Sequence, residues 1–242
     1  MPSKTFSWGK KGHRIVGQIA YNHMTKKARK NIKKHLGNES IAIAGYWMDH
    51  IRADKNYDYQ TPWHYCSIPD GKTYEEAGTP EEGDVIVTIQ RLIKELKSKE
   101  FTNEGELHAI RMLIHLVGDL HQPLHVGNGE DYGGNNVKLK FMWRDTNLHR
   151  VWDSNLIDEQ DLSFTEYVDY IDFPTETEIS KWQSTTVLDW ANESKSYREQ
   201  VYKVPEDNNL TFKYIFDNKD LVDQRLLQAG IRLAGILNEI YD

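Results

Sequence analysis

The sequence predicts a single, mainly α-helical domain carrying one small β-hairpin. Three observations support that reading. Apolar residues recur at helical spacing through most of the chain. Only Val137-Lys-Leu-Lys-Phe-Met-Trp143 alternates as a strand does. No internal repeat occurs, and no linker is long enough to separate domains. At 242 residues the chain is long for one domain, yet a chain of this size buries roughly 70–75% of its unfolded surface and supports a large core. Apolar residues make up 38% and charged residues 28%, and seven Trp with thirteen Tyr argue against disorder. No apolar run approaches the roughly 18 to 20 residues that span a bilayer, so a soluble product is expected.

Met1-Pro-Ser-Lys-Thr-Phe-Ser7 lacks the apolar centre of a secretory signal, but Thr5-Phe-Ser7 forms a small-x-small cleavage site just before Trp8. The expectation is a leader or signal-peptide remnant over residues 1–7, a catalytic domain over 8–242, and a secreted or periplasmic location. From Gly12 to Leu36 the pattern is helical. Ile15, Val16, Ile19 and Ala20 share a face, Thr25 opens a second helix as its N-cap, and Gly37 ends it. The run Lys26, Lys27, Arg29, Lys30, Lys33 and Lys34 has no interleaved aromatics and reads as a solvated helix face. Ser40 to Ala53 reads as one amphipathic helix carrying Trp47, Asp49, His50 and Arg52. Tyr57 to Gly71, rich in aromatic and turn residues, reads as an extended loop holding Pro62-Trp-His64-Tyr-Cys-Ser67. Thr79-Pro80-Glu81-Glu82 offers the N-cap, first-turn proline and capping-box Glu of a helix running to about Lys97.

The next helix, capped by Asn103, closes in His115-Leu-Val-Gly-Asp119-Leu-His-Gln-Pro-Leu-His125. Leu107, Ile110, Leu113, Ile114 and Val117 give it helical periodicity, so His115 and Asp119, four apart, project from one face. Pro123 cannot continue the helix, and His125 swings back on a turn. Val126 to Asn136 is too glycine-rich for helix. After the strand, Leu148 to Ile157 is helical again and presents His149 and Asp153 at the same spacing. The remainder reads as helices around Phe164 to Ile171, Thr186 to Tyr202 and Leu221 to Tyr241. All ten histidines lie between His13 and His149, which assigns the chemistry to the first two thirds and leaves the last third as scaffold.

The candidate ligands are His13, Asp49, His64, His115, Asp119, His125, His149 and Asp153, more than one zinc needs. Imidazole and carboxylate without thiolate is the donor set of catalytic rather than structural zinc. Several such ions together form the clamp used for in-line displacement at phosphorus. The net charge of −7 argues against a generally basic grip on nucleic acid, although three zinc ions would bring six positive charges to one cleft. The single cysteine, Cys66, excludes an internal disulfide and reads as a small, partly buried packing residue in preference to a thiolate ligand.

Six ordered elements go further: Trp8-Gly-Lys-Lys-Gly-His13, Ala44-Gly-Tyr-Trp-Met-Asp49-His-Ile-Arg52, Trp63-His64-Tyr65, the His115 to His125 motif, Gly133-Gly-Asn135 and His149-Arg-Val-Trp-Asp153. In order and spacing they resemble the zinc-dependent S1/P1 nuclease family, whose fold is related to bacterial zinc phospholipase C. The resemblance covers Trp8 to Asp153, and the helical remainder is compatible with it. It implies a helical fold of the phospholipase C/P1 nuclease type holding three zinc ions. Asp49, His64, His115 and Asp119 would hold the first, and His125, His149 and Asp153 the second. His13, a bridging Asp119, and the amino group and carbonyl oxygen of Trp8 as mature N-terminus would hold the third. The resemblance further implies hydrolysis of single-stranded RNA and DNA to 5′-nucleotides, with 3′-nucleotidase activity. Arg52 would neutralise phosphoryl oxygens, Asn135 would donate to the phosphate, and Tyr65 would stack on a nucleobase.

Where well-known fungal members carry an Asp that reads the base edge this chain has Ser67, which leaves base preference open. The lone cysteine departs from the disulfide-bonded eukaryotic members and favours a bacterial-type enzyme. Asn38-Glu-Ser40, Asn192-Glu-Ser194 and Asn209-Leu-Thr211 would accept glycans in a secretory pathway. Two competing readings keep the metals but not the nuclease: a phospholipase C-like phosphodiesterase, and a zinc-binding protein without turnover. The His149/Asp153 pair, Gly-Gly-Asn135 and Tyr65 favour the nuclease over the first, and the full ligand set with Arg52 favours it over the second. No amphipathic membrane-facing segment and no protein partner is evident, and a monomer is expected.

Overall fold

A computed structural model describes residues 8–101 and 105–242. The leader, residues 1–7, and the Asn103 cap expected from the sequence lie outside the described residues. Helix α1 (Lys10–His23) buries the expected stripe of Ile15, Val16, Ile19 and Ala20. It packs on the long C-terminal helix, which begins at Phe212 rather than Leu221. Gly230 of that helix permits the contact, since a Cβ there would lie 2.5 Å from the Ile19 side chain. Helix α2 (Lys26–Leu36) opens at Thr25, whose side chain accepts from the Ala28 amide, and closes where Gly37 takes φ +63°.

The helix expected over Ser40 to Ala53 is two short ones, α3 (Ile41–Ala44) and α4 (Trp47–Ile51). The break falls at Gly45, whose carbonyl accepts from His115 Nδ1 at 2.7 Å. A carbonyl committed to an imidazole is withdrawn from a helix ladder. The stretch expected as an extended loop is instead a 3₁₀ helix, Lys55–His64, opened by Asp54 accepting from the Asn56 amide. It runs into β1 (Cys66–Ser67), paired in parallel with β2 (Val126–Gly127). The cap expected at Thr79 is not used. Helix α5 (Tyr74–Ala77) precedes it with a Thr73/Glu76 capping box, and Gly83 at φ +80° interrupts anything begun at Thr79. Helix α6 (Val85–Ser98) opens at Asp84, which accepts from the Ile86 and Val87 amides at 2.9 and 3.1 Å.

Helix α7 (Gly105–Leu120) is buried continuously from Met112 to Leu120, as a helix enclosed on all sides must be. Pro123 opens a 3₁₀ turn, Pro123–His125. Strands β3 (Lys138–Phe141) and β4 (Arg144–Asn147) form the expected hairpin, extended by an unforeseen parallel strand, β5 (Asn209–Leu210). The helical segment after it is continuous but irregular. It comprises α8 (Leu148–Arg150), a π-helical stretch Val151–Asn155, and α9 (Leu156–Asp158); π-turns of this kind often mark functional positions. Then follow α10 (Phe164–Ile171), α11 (Glu176–Gln183), which was not foreseen, α12 (Val187–Ser196), α13 (Arg198–Val201) and α14 (Phe212–Tyr241). Among the described residues no helix is long and apolar enough to cross a membrane.

The last third grips the end of α7. Arg225 Nε donates to the His121 carbonyl at 3.0 Å and Arg232 Nη1 to His121 Nε2 at 2.9 Å. Both guanidinium groups also bind Glu193, and Ser194 Oγ donates to the Leu120 carbonyl. Burial and the two arginines hold the His121 imidazole well below its usual range, so it stays neutral and serves as an acceptor.

Candidate metal centre

The four-residue spacing of His115 and Asp119 puts His115 Nε2 3.1 Å from Asp119 Oδ2. His64, ending the 3₁₀ helix, brings Nδ1 to 2.9 Å from that oxygen and 3.1 Å from His115 Nε2. Asp49 on α4 faces them, its Oδ1 4.0 Å from His115 Nε2. His13 on α1 stacks on the His115 ring, with centroids 3.9 Å apart, and aims Nε2 at Asp119 Oδ1 from 3.3 Å. A second cluster forms around Asp153, with His149 Nε2 3.1 Å from Oδ2 and His125 Nε2 3.7 Å from Oδ1. Three groups therefore have ligand atoms within 4.8 Å of one another: His13, His115 and Asp119; Asp49, His64 and His115; His125, His149 and Asp153. Every predicted imidazole and carboxylate ligand is among them.

The donor set fits metal ions. Tetrahedral zinc with bonds of roughly 2.0–2.1 Å spaces its ligand atoms about 3.4 Å apart, and the separations here bracket that value. Asp119 Oδ1 and Asp153 Oδ2 are enclosed yet accept no hydrogen bond, although ring nitrogens stand 3.3 and 3.1 Å away. A cation shared with those nitrogens would satisfy such enclosed oxygens.

The supporting shell was not legible in the sequence. Nδ1 of His115, His125 and His149 donates to the carbonyls of Gly45, His64 and Gly133 at 2.7, 2.6 and 2.7 Å. That arrangement fixes each tautomer and leaves the Nε2 lone pair facing the cluster. Gly133 takes φ +60°, and a Cβ there would lie 2.3 Å from the Leu124 carbonyl oxygen, so a side chain would displace the carbonyl that orients His149. Gln122 is fully buried; its Nε2 donates to Asp153 Oδ1 at 2.6 Å and its Oε1 accepts from the Leu124 amide. It thereby ties the second cluster's carboxylate to the chain just beyond Asp119. Within the motif its only sequence signal was its place between two ligand residues.

Charge in the cluster is strongly coupled. Burial alone would raise the Asp119 carboxyl, but the His115 and His125 imidazoles hold it well below the usual carboxylate range. Burial pushes His13 and His64 down. Against burial, the Asp119 charge and the Asp153 hydrogen bond push His125 up to about 9. Protons would therefore compete with a metal ion for the same lone pairs.

Arg52 caps α4 with Nη1 3.5 Å from Asp49 Oδ1, so its charge stands at the cluster. Tyr65 and Ser67, flanking Cys66 beside His64, are exposed, whereas Cys66 is buried, more fully than expected. Asn135 is buried, and its Nδ2 donates to the Tyr132 carbonyl at 2.9 Å, which leaves one amide hydrogen for another acceptor. Trp8 is fully buried. Gly118 of α7 lies between it and His13, since a Cβ there would be 3.0 Å from His13 Nδ1 and 3.8 Å from Trp8 Cδ1. The Gly9 amide donates to the Asp153 carbonyl at 2.6 Å, stitching the start of the domain to the second cluster.

Comparison with known proteins agrees with this geometry. Endonuclease 2 of Arabidopsis thaliana is 30% identical, over 97% of this chain and 90% of its own length. Endonuclease 4 of the same plant is 31% identical, over 97% and 89%. Nuclease S1 of Aspergillus oryzae is 26% identical, over 98% and 92%. The family model described as S1/P1 Nuclease matches residues 8–242, a span that contains every element described above, and the chain belongs to the S1/P1 nuclease family.

Proposed function

We propose that this protein is a zinc-dependent phosphoesterase that hydrolyses single-stranded RNA and DNA to 5′-nucleotides, with 3′-nucleotidase activity, using three zinc ions. The convergence of three buried His/Asp groups on α1, α4, α7 and the segments around them carries the reading. Relatives named endonuclease and nuclease support the substrate class. Asp49, His64, His115 and Asp119 would hold the first ion, and His125, His149 and Asp153 the second. His13 and Asp119 would hold the third, joined by the amine and carbonyl oxygen of Trp8 where Trp8 is the first residue. Its burial beside Gly118 and His13 supports that assignment; removal of the residues before Trp8 would go with export to a secretory or periplasmic compartment.

Bound there, the ions supply Lewis acidity and a water deprotonated near neutral pH. The chain's own contribution is placement. Arg52, held beside Asp49, brings a fixed positive charge to the phosphoryl oxygens as they gain charge in the transition state. The remaining Asn135 amide hydrogen donates to the same phosphate. Tyr65, exposed next to His64, offers an aromatic face on which any base stacks. Ser67 supplies only a neutral hydroxyl, so no single base edge is demanded.

The test is a zinc count on protein beginning at Trp8 and on protein retaining residues 1–7, with product analysis on single-stranded RNA, single-stranded DNA and 3′-nucleotides. Three ions and 5′-nucleotide products are expected for the first form, with fewer ions and slower turnover for the second. Release of phospholipid headgroups in place of nucleotides, or full metal loading without turnover, would overturn the proposal.

A further inference from the structure

Read alone, the lysine-rich run from Lys26 to Lys34 is a solvated helix face because no aromatic residue interrupts it. The fold supplies the aromatic from a neighbouring helix. Tyr21 of α1 is 43% exposed, and the Arg29 guanidinium lies over its ring at 4.5 Å, held by the Asn22 carbonyl at 2.6 Å. Beside them is an open cavity of about 480 Å³ whose lining includes Tyr21, Arg29, Lys30, Lys33, Asn38 and Ser40. That volume is in the range of small-ligand sites.

The electrostatics of α2 are unfavourable to the helix itself. Its eleven residues include six Lys and Arg and no acid, while the other 24 Lys and Arg of the chain face all 37 Asp and Glu. Among the described residues none of the six forms an ion pair, unlike Lys97, Lys99, Arg111, Lys213 and Lys219, which all do. Lys26 and Lys30, Arg29 and Lys33, and Lys30 and Lys34 are like-charge pairs four apart, and such pairs destabilise a helix. Lys26 and Lys27 also stand in its first turn, where the macrodipole disfavours cations. A polyanion laid along this face would relieve both penalties. The inward face, Ala28, Ile32 and Leu36, is buried, so the outward face has cations but no large apolar side chain with which to enter a membrane.

We propose that α2 and the adjoining cavity form an exosite that grips the phosphodiester backbone of single-stranded nucleic acid away from the metal centre. This rests on the nuclease reading above and deepens it. His13 and Tyr21 stand about 12 Å apart along α1, so only a strand of more than one nucleotide reaches both places. A mononucleotide engages the metal centre alone.

The experiment compares the holoenzyme with the triple variant Arg29→Gln/Lys30→Gln/Lys33→Gln, glutamine being a good helix former, and with a Lys30→Arg/Lys33→Arg control. For single strands each phosphate contact contributes roughly 0.7 to the slope of log affinity against log salt, so losing three should make that slope shallower by about 2. On a long single-stranded oligonucleotide at low salt, KM should rise about tenfold or more with kcat little changed. A 3′-phosphorylated mononucleotide should be turned over at the parent rate, and the arginine control should behave as the parent. Unchanged KM and salt slope on the long strand would overturn the exosite. So would sedimentation of the parent, but not the variant, with phosphatidylserine vesicles if strand kinetics were unaltered, which would assign the face to a membrane surface. Absence of hydrolysis of either substrate by the parent would refute the nuclease reading instead. Fluorescence anisotropy of the labelled strand on both proteins would then still decide the exosite.

Discussion

Replacing Asp119 by Asn keeps the side chain's shape and removes its charge and part of its acceptor capacity. Asp119 is wholly buried. Oδ2 lies 2.9 Å from His64 Nδ1 and 3.1 Å from His115 Nε2, and Oδ1 lies 3.3 Å from His13 Nε2, the placement a carboxylate would need to bridge two of the proposed ions. Zinc sites with four ligands bind with apparent free energies of about 10–16 kcal/mol, or about 3 kcal/mol per ligand, and 3 kcal/mol is a factor of about 150 in affinity. Both ions should weaken by about that factor. Hydrolysis should fall by more than the roughly thousandfold cost of losing one charge-stabilising group, because the ions themselves are lost. The assay is zinc titration calorimetry with content after dialysis, alongside nucleotide release from single-stranded RNA and far-ultraviolet circular dichroism to confirm the fold. Loss of a single ion with normal turnover would refute the bridging role. Unchanged zinc content and unchanged rate would refute the centre as assigned.

Arg52→Ala should leave zinc content intact and lower kcat about a hundredfold, the scale seen when one transition-state donor is removed; equal catalytic efficiency on every substrate would show that the guanidinium only pairs with Asp49. Gln122→Ala should weaken zinc at the His125, His149 and Asp153 group by roughly 10- to 100-fold, as outer-shell changes do, without altering the other groups, and calorimetry that finds all sites equally affected would point to general unfolding. Chelation should lower Tm, because ligands drawn from His13 to Asp153 bind metal only when folded; an unchanged Tm in demonstrably metal-free protein would exclude the coupling. In chelated protein His125, raised to about 9, contributes stability that is fully present below its ordinary value of about 6.5 and lost as pH rises through about 9. Urea unfolding should therefore show the gap between parent and His125→Gln closing from about pH 6 to about pH 9.5, while zinc affinity rises over the same interval; a gap that widens would reverse the assignment.

The candidate ligands were legible because their signal is local. His115 with Asp119 and His149 with Asp153 each sit four apart on one helix, and the histidine count ends at residue 149. The errors fell where a contact distant in sequence decides local structure. Ser40 to Ala53 has a helical pattern, but the break at Gly45 comes from an imidazole that arrives from residue 115. Thr79 looks like a cap, but Asp84 binds two amides and Gly83 has already turned the chain. The pairing of Cys66–Ser67 with Val126–Gly127 and the β5 edge are two residues each, too short to leave an alternation pattern. The carbonyls that orient the imidazoles have no side-chain signature at all; only Gly133, at positive φ, had one in its glycine.

The histidine-free last third shapes the candidate metal centre more directly than a scaffold would. His64 and His125 belong to different groups, joined directly by the His125 Nδ1 bond to the His64 carbonyl and by the β1·β2 pair that follows them, two residues long on each side. A ladder of that length does not hold its own register. Arg198 of α13 does so instead, buried, with Nη1 donating to the Ile68 carbonyl at 2.9 Å and the Val126 carbonyl at 3.1 Å, one from each segment. Arg225 and Arg232 of α14 hold the His121 backbone and ring between Asp119 and Gln122. These cations are enclosed at a desolvation cost that ion pairs offset poorly, and apolar side chains would fill the same volume more cheaply. What an apolar residue cannot do is bind two carbonyls from separate segments at once. The distances among the candidate ligands therefore depend on residues 198 to 232, although no candidate ligand lies there, and a chain ending after Asp153 would keep every candidate ligand while losing contacts that position them.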